Sequence, residues 1–253
     1  MNDTNSNMNT PDSPVSESEK KHVAEQGEMP APKRKRSKRF YATLGVVALV
    51  VAVAGAGFWV WHEQPSFCNA ICHTPMDPYL ASYEQEPGTQ GVDKWGNEVE
   101  NTSSMLAVTH KMSKAEGGAD AICLSCHEPT MAQQLSEVKG WSTGDMPLFQ
   151  NEAYGLVLGE RGTPELTAWL GTEPDSFCLN EKCHNISRTD LVKLTADLGT
   201  YNPHREMHGQ RDCSDCHKAH RASVNACTQC HADAPVPEGW LTYDEAQEVA
   251  ARA

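Results

Sequence analysis

The sequence predicts a mostly α-helical protein with extensive loops and little sheet. One N-terminal transmembrane helix leads into a domain cored by bound groups rather than by an ordinary apolar interior. Three observations predict this. The stretch Phe40–Trp61, FYATLGVVALVVAVAGAGFWVW, runs 22 residues without a charge. The 192 residues that follow are polar and offer few amphipathic periods. The 10 cysteines fall into five close pairs, each followed at once by a histidine.

The chain divides into residues 1–39, 40–61 and 62–253. Residues 1–32 are rich in Asn, Ser, Thr, Pro and Glu and nearly free of large apolar side chains, so they are expected to be disordered, with His22 a solvated tail residue. Lys33–Arg39 then places six positive charges in seven residues. Such a run by itself reads as a solvated face or a nucleic-acid patch. Directly before an apolar stretch it reads as the cytoplasmic flank of a membrane helix. Twenty-two residues suffice for a hydrocarbon core of about 30 Å. Phe40 and Tyr41 at one end and Phe58, Trp59 and Trp61 at the other resemble interfacial belts. The expectation is a single pass through the cytoplasmic membrane, N-terminus inside, with everything from His62 onward extracytoplasmic. A cleaved leader is the alternative, since Ala52-Val53-Ala54 and Ala54-Gly55-Ala56 resemble cleavage sites, but the run is long for one and ends in aromatics. Gly55-Ala56-Gly57 leaves pairing of two copies, a homo-oligomer, open.

The part beyond the apolar run has 28 Asp and Glu against 13 Lys and Arg, a formal charge of −15. That excludes nucleic acid as a partner and suits steering toward a basic protein surface.

The cysteine pairs carry the chemistry. Cys123/Cys126, Cys213/Cys216 and Cys227/Cys230, followed by His127, His217 and His231, are C-x-x-C-H motifs. This is the attachment pattern of a c-type haem: two thiols form thioethers and the adjacent imidazole binds the iron. Zinc sites and disulfides also use paired cysteines. Neither requires a histidine directly after the second cysteine, and here it is present five times in five with 11 His in 253 residues. Cys68/Cys72 with His73 has three intervening residues, and Cys178/Cys183 with His184 has four; both are read as spacing variants of the same motif. The prediction is five covalent haems. Because 192 residues cannot surround five porphyrins and also build a separate core, the haems are expected to be much of the interior.

Five more histidines lie beyond the apolar run: His62, His110, His204, His208 and His220. The last four, with Met76 three residues after His73, are the candidate distal iron ligands. His208 and His220 flank the fourth motif, whereas Met76 is as readily a core methionine and His62 a snorkelling interfacial residue. Paired axial histidines lower a haem's potential relative to His/Met and close the iron to substrate. The chain therefore reads as a low-potential electron carrier.

Helices are expected at Met131–Lys139, at Pro164–Leu170 with Thr163 as N-cap, at Thr189–Leu198, and at Tyr243–Ala251. The spacing of Leu191, Leu194 and Leu198 reads as core packing, residues 84–105 as a polar insertion, and 155–164 as a Gly/Pro-rich loop.

A basic N-terminus, one membrane helix and a haem motif just beyond it resemble the NapC/NirT/NrfH family of membrane-anchored multihaem cytochromes. The matching residues are Phe67-Cys68, Cys72-His73-Thr74-Pro75-Met76-Asp77-Pro78-Tyr79, Tyr83, His110 and Cys123-Leu124-Ser125-Cys126-His127-Glu128-Pro129. The resemblance covers residues 33–130. It implies oxidation of menaquinol or ubiquinol at the first haem and delivery of electrons to an extracytoplasmic reductase in anaerobic respiration. It also implies that Met76 answers to the methionine after the first motif and that His110 crosses to a later haem. Lys139 would answer to a lysine near the second haem, and is equally a charge at a helix end. Residues 200–231 look more like modules of low-potential tetrahaem cytochromes, in which the intervening histidines are sixth ligands. The chain departs from the family in its longer first motif, in the residue added before Met76, and in having a fifth site.

Two other functions stay open. One is a relay cytochrome fed by another membrane protein. The other is a reductase of nitrite or a similar oxyanion at an open haem, although no motif here ends in the lysine of pentahaem nitrite reductases. By position alone, Trp59, Trp61, His62 and Phe67 could line a quinol entry, with Glu63 or Asp77 as proton acceptor.

Overall fold

The computed structural model describes residues 37–72, 76–111 and 123–252. His73 and the tail 1–36 lie outside the described residues, so the readings placed on them stand as sequence expectations. The chain forms two compact units, residues 1–51 and 52–253.

Helix α1 (Lys38–His62) is 25 residues long, with a mean hydropathy of 2.2 over its apolar window. At 1.5 Å per residue it extends about 37 Å, long and apolar enough to cross a bilayer. None of its residues is buried by the protein. The helix starts two residues before Phe40, because Ser37 supplies a helix start: its carbonyl and hydroxyl both accept from the Phe40 N–H.

The rest of the described residues form short helices and loops with three two-stranded pairings. Helices α2 (Pro65–Cys72) and α3 (Asp77–Tyr83) flank the first motif. Strands β1 (Gly91–Val92) and β2 (Glu98–Val99) pair antiparallel. Then come α4 (Leu106–Lys111), α5 (Cys123–Cys126) and α6 (Met131–Thr143). An antiparallel hairpin of β3 (Leu148–Asn151) and β4 (Gly155–Leu158) follows, then α7 (Thr163–Ala168), α8 (Arg188–Leu194) and α9 (Cys213–Cys216). Strands β5 (Val224–Asn225) and β6 (Leu241–Thr242) pair in parallel before α10 (Tyr243–Ala251) closes the fold. The predicted class, mostly helical with little sheet, is the observed one.

The apolar core of the described residues is small: Val99, Met105, Val108 and Ala222, with Leu241 packed against them. It sits where segment 218–224 is stitched to segment 93–107. Lys94, Leu106 and Ala107 donate backbone N–H groups to the carbonyls of His220, Lys218 and Ala219. The Ser223 hydroxyl donates to the Ser104 carbonyl at 2.6 Å, and Leu241 N–H to the Ser223 carbonyl at 2.8 Å. Met105 is fully enclosed. Replacing it by alanine is expected to cost about 3 kcal/mol, read as a lower urea midpoint for the purified holoprotein.

Several expectations need correction. Residues 84–105 are no mere polar insertion: Val99 and Met105 are core, and Asp93, Lys94, Thr102 and Ser104 are buried. The polar ones are interior because they are bonded, as where Thr102 donates its hydroxyl to the Glu86 carbonyl. Part of the expected loop 155–164 is strand β4. Helix α7 is capped at Gly162, not Thr163. Glu165 reaches back to accept from the Gly162 N–H at 2.8 Å, and Thr163 N–H donates to Ser214 Oγ at 2.9 Å, tying α7 to α9. Helix α8 starts on Ser187, whose hydroxyl accepts from Asp190 N–H while the Asp190 carboxylate accepts from Ser187. It stops at Leu194, and the chain turns through 3-10 geometry (Ala196–Tyr201) with Gly199 at φ 56°. The leucine periodicity is thereby broken, and Leu194 and Leu198 are exposed rather than core. The α6 stripe Met131, Leu135 and Val138 is also exposed. That helix runs four residues past Lys139 to a left-handed Gly144 cap.

Candidate functional site

The four described Cys–His motifs share one turn. His127, His217 and His231 each donate their backbone N–H to the carbonyl of their motif's first cysteine, at 2.8, 2.9 and 2.9 Å. His184 does the same to Cys178 at 3.2 Å across its longer spacer. The extra residues are folded inward by Asn180, whose side-chain oxygen accepts from Lys182 and Cys183 N–H. The four-residue variant thus places its histidine at the same point of the turn as the shorter motifs.

Coverage of the two cysteines differs between motifs. In motifs two, three and five the first thiol is half-buried, at Cys123, Cys178 and Cys227, while the second, at Cys126, Cys183 and Cys230, is exposed. Motif four keeps both Cys213 and Cys216 half-buried. Cys230 is the clearest case. It follows the 3-10 turn Ala226–Gln229, and its N–H donates to the Cys227 carbonyl at 3.2 Å. Thr228 Oγ1 donates to the Asn225 carbonyl and ties the turn from the side of Cys227. Among the described residues no two of these thiols are joined as a disulfide, so each can take a vinyl group.

The motifs neighbour one another in chain order. The Cys68 thiol is hydrogen-bonded to that of Cys123, and Cys178 to Cys213. The shared proton leaves Cys123 and Cys213 pushed down to about 7, and the partner together with burial pushes Cys68 and Cys178 up. Cys126 feels Cys183, and Cys216 feels Cys227. Motifs one and two, and three and four, are thus joined by a thiol pair, while two and three, and four and five, lie within electrostatic range of each other. No part of the sequence reading contained that order.

The spare histidines are brought to motif histidines. His127 and His220 are near parallel, with ring centres 6.5 Å apart at 21°. His110 and His184 lie 6.0 Å apart at 89°, and His208 and His231 lie 6.2 Å apart at 31°. His217 has His204 as its strongest imidazole neighbour, then His110 and His184. A metal bound about 2.0 Å from each nitrogen, with each nitrogen about 1.1 Å from its ring centre, sets two axial imidazoles about 6.2 Å apart. The three measured pairs fit that separation. His208 and His220, though they flank motif four in sequence, face motifs five and two. His110 faces motif three.

Second partners fix which nitrogen binds a metal. His110 Nδ1 is 2.8 Å from the Leu106 carbonyl, an acceptor only, so Nδ1 carries the proton. Ser82 donates its hydroxyl to the Tyr79 carbonyl at 3.0 Å and accepts from His220 Nδ1 at 2.9 Å. Thr195, whose hydroxyl has acceptors in the Leu191 carbonyl and Asn202 Oδ1, accepts from His204 Nδ1 at 3.0 Å. In each case the lone pair falls to Nε2, the arrangement of a metal-binding histidine. Burial pushes His220 down to about 3 and His127 to about 4, and lowers His204 and His217, so these imidazoles are neutral donors at pH 7. His127 is reachable by solvent in area yet hemmed in by protein atoms, as a group lining a narrow cleft is; the direction of its shift follows from that crowding. The donor set of paired thiols with facing neutral imidazoles fits a covalent haem.

Near the first motif, His62 sits in an aromatic box. Its ring centre is 4.9 Å from Phe67, 6.1 Å from Trp59 and 6.4 Å from Phe58. Trp61 and Phe67 meet edge to face at 5.0 Å. Met76 precedes α3 as its N-terminal cap residue. Among the described residues no three His, Cys, Asp or Glu side chains converge on one point.

The sequence reading missed a cluster of charges beside His220. Glu160 receives Arg221 Nε at 3.0 Å and has Lys94 Nζ at 3.8 Å and Lys218 Nζ at 3.9 Å. Lys94 and Arg221 both lie over the Trp95 ring, at 4.9 and 5.2 Å. Tyr79 joins the cluster to β4 by donating its hydroxyl to the Leu158 carbonyl at 2.7 Å, and its ring meets His220 edge-on at 5.1 Å. Motif search cannot find such a group, because its members come from separate segments.

Repeated Cys–His turns, facing imidazoles and a minimal apolar core together define a multihaem c-type cytochrome, an electron-transfer protein with covalently bound haem. The chain belongs to the c-type cytochromes: it is 55% identical over 224 residues, 88% of its length and 95% of the relative's, to the cytochrome c-type protein Cgr1 of Eggerthella lenta. Residues 169–232, which hold motifs three to five, match the cytochrome c3 family model. No solved structure matches the chain.

Proposed function

We propose that this protein is a membrane-anchored pentahaem cytochrome that takes electrons from quinol, menaquinol or ubiquinol, and relays them to an extracytoplasmic reductase. Its distal ligands are His220 for motif two, His110 for three, His204 for four and His208 for five. Met76 is the candidate for motif one. The observation that carries the reading is the unbroken sequence of motif contacts, which begins at Cys68, six residues past the end of the apolar helix.

The chain's own residues suit the entry step. Phe58, Trp59, Trp61 and Phe67 offer flat apolar walls for a quinol ring, and His62 stands among them as a polar contact for its hydroxyl. Quinol releases two electrons and two protons, so five one-electron sites accept a full turnover with room to spare. Glu63 and Asp77 are carboxylates placed by sequence near the entry for the protons. Paired neutral histidines leave the later irons closed, which suits relay and not substrate reduction.

The test mixes the detergent-purified holoprotein with a reduced menaquinol analogue while the α band is recorded, with the haem-to-protein ratio taken as pyridine haemochrome. Five haems and rapid reduction are expected. Full reduction by dithionite with none by quinol would instead give a relay fed by a membrane partner.

A further inference from the structure

We infer that Lys94, Lys218 and Arg221, gathered about Glu160, form the receptor for the carboxylates of the haem held between His127 and His220, and raise its reduction potential. The inference rests on the proposed ligation of that haem. Three cations face one carboxylate in this cluster, an excess of two positive charges. Two further acids are within electrostatic reach. Asp215 is exposed, and solvent screens it. Asp93 is buried but spends its oxygens on its own loop, accepting from Trp95 N–H at 2.8 Å, Asn97 N–H at 2.9 Å and the Asn97 amide. Asp93 offsets part of the excess through its charge but supplies no acceptor to Arg221 Nη1, and net positive charge remains.

The second observation is an orphan. Arg221 is 8% exposed, and its Nη1 is buried without any acceptor. A guanidinium N–H left unpaired in the interior carries a large desolvation cost, so the fold implies an acceptor that the polypeptide does not provide. A haem carries two propionate carboxylates, which match the excess in sign and supply the missing acceptor. The cluster is also fixed to the distal ligand: Lys94 N–H donates to the His220 carbonyl at 2.8 Å, and the Lys94 ammonium and the His220 ring both contact Tyr79. Positive charge held there favours the ferrous state, which carries one positive charge fewer than the ferric.

The test is a potentiometric titration of the holoprotein followed by electron paramagnetic resonance. Low-spin ferric haems with near-parallel axial imidazoles give signals distinct from those with perpendicular ones. The signal of this haem is assigned by its absence from the His220→Ala protein. In Lys94→Met and Arg221→Gln, that signal alone is expected to titrate lower: at the wild-type midpoint its reduced-to-oxidised ratio falls about tenfold, 59 mV for one electron. Glu160→Gln is expected to move it the opposite way, which a packing defect would not do, and Arg221→Lys to leave it near wild type. An unmoved signal, equal shifts in all haems, or an Arg221→Lys protein that behaves as Arg221→Gln would overturn the inference. So would a midpoint that sulfate shifts in the wild type at constant ionic strength, since the cluster would then be a free-anion site. Absence of a His220-dependent signal from the wild type would instead remove the ligation on which the inference rests.

Discussion

Replacing His220 by alanine is expected to open one haem, and one alone, to carbon monoxide. The affected haem is the one carried by Cys123 and Cys126, although His220 lies only three residues past His217 of the fourth motif. The reason is the path of segment 218–224. Its backbone is bonded to Lys94, Leu106 and Ala107, and this aims the His220 ring at His127. Ser82 holds the ring from behind at 2.9 Å. Removing the imidazole leaves His127 and takes away the facing ligand, so a six-coordinate low-spin site becomes five-coordinate and reactive. One carbon monoxide per chain should bind in the reduced state, against none at this haem in the wild type. A near-parallel resonance signal should vanish, while the perpendicular signal from His110 and His184, at 89°, persists. Loss of the perpendicular signal instead would show that His220 serves another motif.

Adjacency in sequence places each described motif's own histidine and says little about which other histidine faces it. A histidine that follows its cysteine stays with that motif because a single hydrogen-bonded turn fixes both, as it does in the four described motifs. A distal ligand is delivered by tertiary contacts. His208 and His220 lie on either side of Cys213–His217 yet face His231 and His127, and no periodicity in the sequence encodes the crossing. Burial misled in a related way. Residues 84–105 look like a loop because their interior members include Asp93, Lys94, Thr102 and Ser104, and hydropathy cannot see a polar group whose hydrogen bonds are all made inside. Helix ends were displaced where side chains took unexpected partners. Thr163 looked like a cap but gave its N–H to Ser214, and the Leu191 periodicity ended at a kink set by Gly199. The apolar anchor and the low sheet content, which depend on composition over long windows, were legible throughout.

The cationic cluster shows the same limit from another side. Lys94, Glu160, Lys218 and Arg221 are unremarkable charges when read singly. They acquire meaning because β1–β2, the loop after β4 and the turn after motif four meet at His220. A haem brings two carboxylates with its iron, and an acidic chain has few cations to set against them. Holding three in one protected place marks that haem as electrostatically different from the rest.

The double variant Cys178→Ala, Cys183→Ala is expected to have the largest effect on electron flow. Haem content should fall from five to four per chain, because the four-residue spacer still builds a complete motif: His184 donates to the Cys178 carbonyl, and Asn180 folds the insertion inward. The position of the loss matters more than its size. Motif three joins motif two through Cys126–Cys183 and motif four through Cys178–Cys213, with His184 facing His110 and in reach of His217. One further link exists, since His220, three residues past His217 of motif four, faces His127 of motif two, and the variant separates passage through motif three from that shortcut. Stopped-flow mixing with a quinol analogue should then reduce the haems of motifs one and two at the wild-type rate. Those of motifs four and five should lag by on the order of 100-fold, about 2.7 kcal/mol of added barrier. Dithionite, which reaches every exposed haem edge from solution, should still reduce all four. If all four haems filled together from quinol, electrons would not be passing through the motifs in chain order, and a branch bypassing motif three would be required.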